Sequence, residues 1–281
     1  MTEHSRVRRI APNLWLWLAI IVLVFPIYLV FIASTHTSAD ILSAPMPLTP
    51  GPHLLENYKE AVVEGSKNLG ASALTMMKNS LIMALGISIG KIVVSLMAAY
   101  AIVFFKFPLR KFCFWSIFIT LMLPVEVRIM PTYKVISDLG MLNSYAGLIL
   151  PMIVSATAVF LFRQYFMSIP REMAEASQID GATPMQFFWH VLLPMTRTPI
   201  AAMFVIQFIY GWNQYLWPLL ITTKQEYYTL LIGINRMLSG ADVQIEWQIV
   251  MATTLLAMIP PALVVVIMQK QFVAGMTDRE K

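Results

Sequence analysis

Asn79–Phe105 reads NSLIMALGISIGKIVVSLMAAYAIVFF, and these 27 residues carry one charged side chain, Lys91. A helix of about 20 mostly apolar residues crosses the hydrocarbon core of a bilayer, so the stretch spans it with residues to spare. A soluble protein could bury such a segment only beneath a large charged surface. The chain cannot supply one. Of its 281 residues 58% are hydrophobic and 12% charged, where an ordinary soluble domain has about 25% charged residues. The fold class is therefore an all-α membrane protein. Soluble enzyme, nucleic-acid binder and disordered tail fall away together.

Five further stretches resemble the first, giving six expected spans at 14–33, 79–105, 112–127, 145–162, 200–220 and 247–268 of one transmembrane domain covering 1–281. The third and fourth are short, and Pro124, Glu126 and Arg128 mark the third as broken or water-exposed at its far end. The first follows Arg6, Arg8 and Arg9 but exceeds the roughly 7–15 apolar residues of a cleavable signal, and is expected to remain as an anchor. Basic residues accumulate on the cytoplasmic side of membrane proteins. Twelve lie on one side, in the clusters Arg6–Arg9, Lys106–Lys111, Arg163–Arg197 and Lys270–Lys281, against seven on the other. The first side is read as cytoplasmic, with both termini inside. The net charge of +5 is thus mainly a topology signal and not the mark of an acidic partner.

Two connections are long. Residues 34–78 form an outer loop that opens with Pro45, Pro47, Pro50 and Pro52, hence extended, before a short amphipathic helix over Leu54–Val63. Residues 163–197 form an inner loop whose centre, Pro170–Pro194, reads PREMAEASQIDGATPMQFFWHVLLP. Met173–Ile179 has strong helix formers, with Glu172 and Glu175 suited to a helix N-terminus. Asp180-Gly181 stops that helix, glycine taking the left-handed conformation. Thr183 caps a second helix with Pro184 at its first position, and Phe187, Phe188, Val191 and Leu192 then form an apolar face closed by Pro194. Loops of this length are usually functional or disordered, and this one is too patterned for disorder. It either packs back on its own bundle or docks a partner.

At these residues the chain resembles a family. Glu175-Ala176-Ser177, then Asp180-Gly181-Ala182, the aromatics and Pro194 look like the EAA motif of bacterial ABC importer permeases, with Ser177 in place of the commoner alanine. The stretches Phe118–Ile129 and Gly211–Ile221 extend the resemblance to the carbohydrate-type permeases, and most closely to those of sn-glycerol-3-phosphate uptake. The resemblance implies a type I importer permease with a cytoplasmic helix-turn-helix coupling loop, in the bacterial inner membrane. It implies a homologous second permease, two ATPase subunits holding ATP and Mg, and an extracytoplasmic solute-binding protein as partners. It implies an ATPase-coupling set of Glu172, Glu175, Ala176, Ser177, Asp180, Gly181, Ala182, Phe187, Phe188 and Pro194, in which Glu175 and Asp180 make polar contacts to the ATPase, Gly181 sets the turn, and Phe187 and Phe188 fill an apolar cleft. Substrates of the type include sn-glycerol 3-phosphate, glycerophosphodiesters and sugars.

Ionisable or amide groups inside spans are functional candidates by default. Lys91, Glu126 and Arg128 are such groups, each with a structural reading as well: snorkelling or carbonyl pairing for Lys91, a mutual or intersubunit ion pair for the other two. Trp212, Asn213, Gln214 and Tyr215 are candidates for a cavity or gate lining in the fifth span, against an interfacial aromatic belt. Gly86 and Gly90 form a GxxxG pair suited to close helix packing. The run GISIGK at 86–91 is not a phosphate-binding loop, since its spacing is one short and Ile92 stands where Ser or Thr is required. No catalytic set emerges: His4, His36, His53 and His190 are scattered, Cys113 is the one cysteine, and no metal or nucleic-acid partner is expected. An ion-coupled secondary transporter is the alternative class, which predicts inverted repeats with acids near the midplane; neither is evident.

Overall fold

The computed structural model describes residues 3–67, 69–120, 123–239 and 244–277, with side chains from Trp15 to Gln269 within those ranges except at 125 and 126. All regular structure in them is helical. Three helices are long and apolar enough to cross a membrane: Trp15–Ser34 within α1 (Glu3–Ser34), α4 (Ala73–Phe104), and Trp247–Gln269 within α15 (Trp247–Thr277). Two bent pairs raise the number to five.

The expected continuous spans differ from the structure at three places. The segment 112–127 is divided between α5 (Arg110–Ile119) and α6 (Val125–Asp138), with Pro124 as the N-cap of α6. The fourth is a bent pair, Tyr145–Met152 and Ala156–Met167, meeting at 49°. Ser155 starts α8 (Ala156–Met167) by accepting the Ala158 amide on its hydroxyl, which satisfies one orphan donor. The fifth ends early, because α12 (Arg197–Trp212) stops at Asn213 and α13 (Leu216–Ile221) begins afresh. Pro218 gives the reason: its ring has no N–H and would strike the carbonyl four residues back in a continuous helix.

The chain divides into two compact units, residues 1–77 with 230–259, and 78–229 with 260–281. In the first, the loop 34–78 does not open extended as expected but with a short helix, Ser38–Leu42, started by a Thr37–Asp40 capping box, and polar bonds tie it down. Asn57 donates to the carbonyls of Ser34 and His36 at 2.9 and 3.0 Å, and Ser38 bonds Gln248. The Thr37 hydroxyl donates to the Asp40 carboxylate at 2.7 Å, which holds the Asp40 carboxyl below its usual range. Glu246 accepts from the Ser66 hydroxyl at 2.8 Å and the Lys67 amide at 3.1 Å. The Leu54–Val63 helix is present as α3 (Leu54–Lys59) continued by a π-turn over Glu60–Glu64.

In the second unit two apolar cores line up along α4. Met83 and Ile87 pack with Ile129, Leu148, Trp217 and Ile221. Further along, Ile92, Leu96 and Tyr100 pack with Phe162, Phe166 and Leu192. The GxxxG pair lies between and packs within the chain: a Cβ at Gly86 would come 2.6 Å from Ile149 Cδ1, and one at Gly90 would strike Ile153. Gly86→Leu is expected to destabilise the protein by about 1–3 kcal/mol through overpacking, read as a lower thermal midpoint in detergent; an unchanged midpoint would show that this contact is not tight.

Candidate transport path and coupling loop

The inner loop folds as two short helices. The first, α9 (Arg171–Ile179), has Glu172 in its opening turn, and its surface is polar: Glu172, Glu175, Ala176 and Asp180 are exposed, while Ser177 and Ala182 are half-buried. Gly181 takes φ +77° with nothing within 4 Å of its missing side chain. A residue with a Cβ pays about 1–2 kcal/mol for that conformation, so the glycine is required by backbone shape and not by lack of space. Thr183 then builds a full capping box with Gln186 ahead of α10 (Pro184–Phe187). The helix continues through a π-turn at Phe188–Leu192 into α11 (Leu193–Met195), which contains Pro194.

Phe187 and Phe188 do not face outward. They are 6% and 4% exposed and pack in the core with Tyr100 and Phe166. The expectation that they fill a partner's cleft is corrected: the apolar stripe identified from sequence anchors the loop to its own helices. Other apolar side chains of this loop stand in the open, Ile179, Met185 and Trp189 among them. Two tyrosines reinforce the anchoring. Tyr100 on α4 donates to the Pro184 carbonyl at 2.7 Å, and Tyr165 on α8 donates to the Met195 carbonyl at 2.6 Å. The loop is therefore gripped from two long helices, one at each end of its second helical segment.

The other site is a cavity of about 470 Å³ beside α4. Lys91 and Arg128 both line it, together with the hydroxyl residues Thr120, Thr132, Ser155 and Thr157, and with Gln207 and Tyr210. Lys91 is 6% exposed and its Nζ sits 3.6 Å from the centre of the Tyr210 ring. The ring face offers partial negative charge without a formal counter-ion, so the ammonium is held but not neutralised. No acid is among the described residues that line the cavity. The side chain of Glu126 lies outside the described residues, and its backbone is in α6. An anion entering here would meet two cations and a ring of donors.

The four candidates of the fifth span are placed elsewhere. Trp212 is buried and stacks on Phe208 at 6.0 Å. Asn213 caps α12 and is exposed, Gln214 donates to the Tyr210 carbonyl at 3.1 Å, and Tyr215 precedes α13. None of the four lines the cavity, although Trp217 of α13, two positions further on, does. The polar residues of this segment that line it, Gln207 and Tyr210, are one turn apart on α12. Their signal was in the sequence, as a lone amide in the apolar run 200–209 followed three positions later by a tyrosine, and three-residue spacing puts both on one helix face. Among the described residues no cluster of side chains could hold a metal ion.

Comparison with known proteins agrees with this architecture. Residues 91–278 match the family of binding-protein-dependent transport system inner membrane components. The chain is 54% identical, over the full length of both, to the sn-glycerol-3-phosphate transport system permease protein UgpE of Brucella melitensis. It is 55% identical to UgpE of Agrobacterium fabrum and 51% to that of Escherichia coli, again over 100% of each chain. Its fold is also that of a crystallised bacterial ABC transporter involved in import of the acidic polysaccharide alginate, with TM-score 0.82, 21% identity, and coverage of 97% and 99% of the two chains. The protein is thus a multi-pass subunit of a transport system and not an enzyme.

Tyr100→Phe removes a hydrogen bond worth about 1 kcal/mol while keeping the ring in its cluster. Faster amide exchange over residues 185–190 with the global melting temperature little changed is the expected outcome; unchanged exchange would mean that the tyrosine does not hold the loop. The chain belongs to the family of binding-protein-dependent transport system inner membrane components.

Proposed function

We propose that this chain is one of two permease subunits of an ATP-driven importer and that sn-glycerol 3-phosphate is its substrate. The observation that carries the substrate reading is the pairing of Lys91 with Arg128 on one small cavity that has no acid among its described lining residues. Sites for small molecules commonly enclose about 300–1,000 Å³, and this volume of about 470 Å³ falls among them. A phosphate suits the planar fork of Arg128 and the point charge of Lys91, and the glycerol hydroxyls suit the threonines and Gln207. The relatives named for sn-glycerol-3-phosphate transport, at more than 50% identity over the whole chain, support the same substrate. A neutral sugar would leave both cations without a counter-charge, which disfavours that alternative.

The substrate is delivered by an extracytoplasmic binding protein that rests on the outer loops, residues 34–78 and 221–246, and passes between this chain and a homologous permease. ATP and Mg are held by two partner ATPase subunits. Glu172, Glu175 and Asp180, together with the exposed Ile179, Met185 and Trp189, present the surface those subunits grip. Closure of the ATPases pushes on the loop, and the Phe187 and Phe188 anchors, with Tyr100 and Tyr165, pass the displacement into α4 and α8. The chain crosses the inner membrane six times, with the division between α5 and α6 forming the third crossing and both termini in the cytoplasm.

Uptake of labelled sn-glycerol 3-phosphate by the complete complex in proteoliposomes tests the substrate. ATP-dependent uptake that is competed by glycerophosphocholine or unlabelled substrate but not by maltose is the expected result. ATP-dependent uptake of maltose with no uptake of the phosphate compound would overturn the substrate while leaving the permease role standing.

A further inference from the structure

A second, larger cavity, of about 1020 Å³, opens where α4 ends and α5 begins. Five basic side chains line it, Lys106, Arg110, Lys111, Arg163 and Arg171, against one acid, Glu175. None of the six is in an ion pair among the described residues. Arg163 is the informative member. Its guanidinium lies 4.0 Å from the centre of the Phe114 ring, and its Nε is buried without a hydrogen-bond partner. A buried donor on a charged group without an acceptor is unusual in a folded protein, and here it belongs to a cavity already rich in positive charge.

Aromatic side chains share the lining, Trp115, Phe118 and Phe160 among them. On α5, Phe112 is 66% and Trp115 55% exposed. The cavity therefore combines cationic and apolar side chains at the end of a membrane-spanning helix. A soluble phosphate would use the cations and leave the apolar side chains idle. A ligand with an anionic head and hydrocarbon tails uses both, and basic pockets between membrane helices at the headgroup level are suited to such heads.

We infer that this cavity binds the headgroup of an anionic phospholipid, the phosphate between Arg110 and Arg163 and the acyl chains running along Trp115 and Phe118. This site is separate from the cavity of Lys91 and Arg128, and its existence does not depend on what the importer carries. Occupancy would couple the lipid to α9 as well, because Arg171 and Glu175 share the lining.

The test uses the complete transporter, delipidated and then titrated with phosphatidylglycerol or phosphatidylcholine in detergent, with retained lipid counted by native mass spectrometry. Each basic contact near a membrane surface changes anionic-lipid affinity by about fivefold. Arg110→Gln with Arg163→Gln should weaken phosphatidylglycerol binding by about 25-fold on that scale, without changing the weak binding of phosphatidylcholine. Arg110→Lys with Arg163→Lys, which keeps the charge and guards against misfolding, should lose much less. Inorganic phosphate at millimolar concentration should not displace the lipid. Equal phosphatidylglycerol binding by wild type and the glutamine variant, or retention of phosphatidylcholine by wild type as strong as that of phosphatidylglycerol, would overturn the assignment, as would displacement by phosphate alone.

Discussion

Lys91 stands in the middle of α4, whose other charge, Lys78, lies near its start, and its ammonium sits over the Tyr210 ring at 3.6 Å. A charge at this depth is costly unless it is paired, solvated or functional, so the surroundings have to be arranged around it. The cavity supplies hydrogen-bonding side chains, and the tyrosine supplies a soft electrostatic partner. An acid in Tyr210's place would satisfy the lysine and close the site to anions. The ring leaves it available, and Arg128 on the same cavity doubles the attraction. The helical break at Pro124, which starts α6 at Val125, puts Arg128 in the first turn of a new helix and not inside an unbroken apolar one.

The same long helix connects this cavity to the coupling loop. Lys91 and Tyr100 are nine positions apart on α4, and the Tyr100 hydroxyl holds the Pro184 carbonyl. Phe187 and Phe188 are buried beside it. The loop is thus packed on the same helix whose other contacts include Ile149 and Ile153 at Gly86 and Gly90. Small residues at those two positions permit close packing, and close packing transmits displacement because dense interiors have low compressibility.

Much of this was legible in the chain itself. Hydropathy defined the all-helical membrane class, and Asp180-Gly181 with Thr183-Pro184 predicted the turn and the second helix start, which the structure shows with a left-handed Gly181 and a capping box at Thr183. Lys91 and Arg128 were recognisable as charges out of place. Orientation of side chains was not legible. The apolar face of Phe187 and Phe188 looks the same whether it meets a partner or the protein's own core, since periodicity identifies a face without naming its neighbour. Trp212–Tyr215 misled for a related reason: polar groups in an apolar run suggest a lining, yet here they end a helix whose continuation Pro218 forbids. Gln207 and Tyr210 sat one turn earlier and carried the lining instead.

The account rests on two cations receiving an anionic substrate within this subunit. The most direct measurement is the rate of sn-glycerol 3-phosphate uptake by proteoliposomes containing the complete complex with Lys91→Gln and Arg128→Gln, alongside ATP hydrolysis by the same preparation. Each charged hydrogen bond lost is worth about 1.5–3 kcal/mol, so uptake should fall by about 100-fold or more while the complex assembles and hydrolyses ATP. Uptake at the wild-type rate in the double variant would contradict the account.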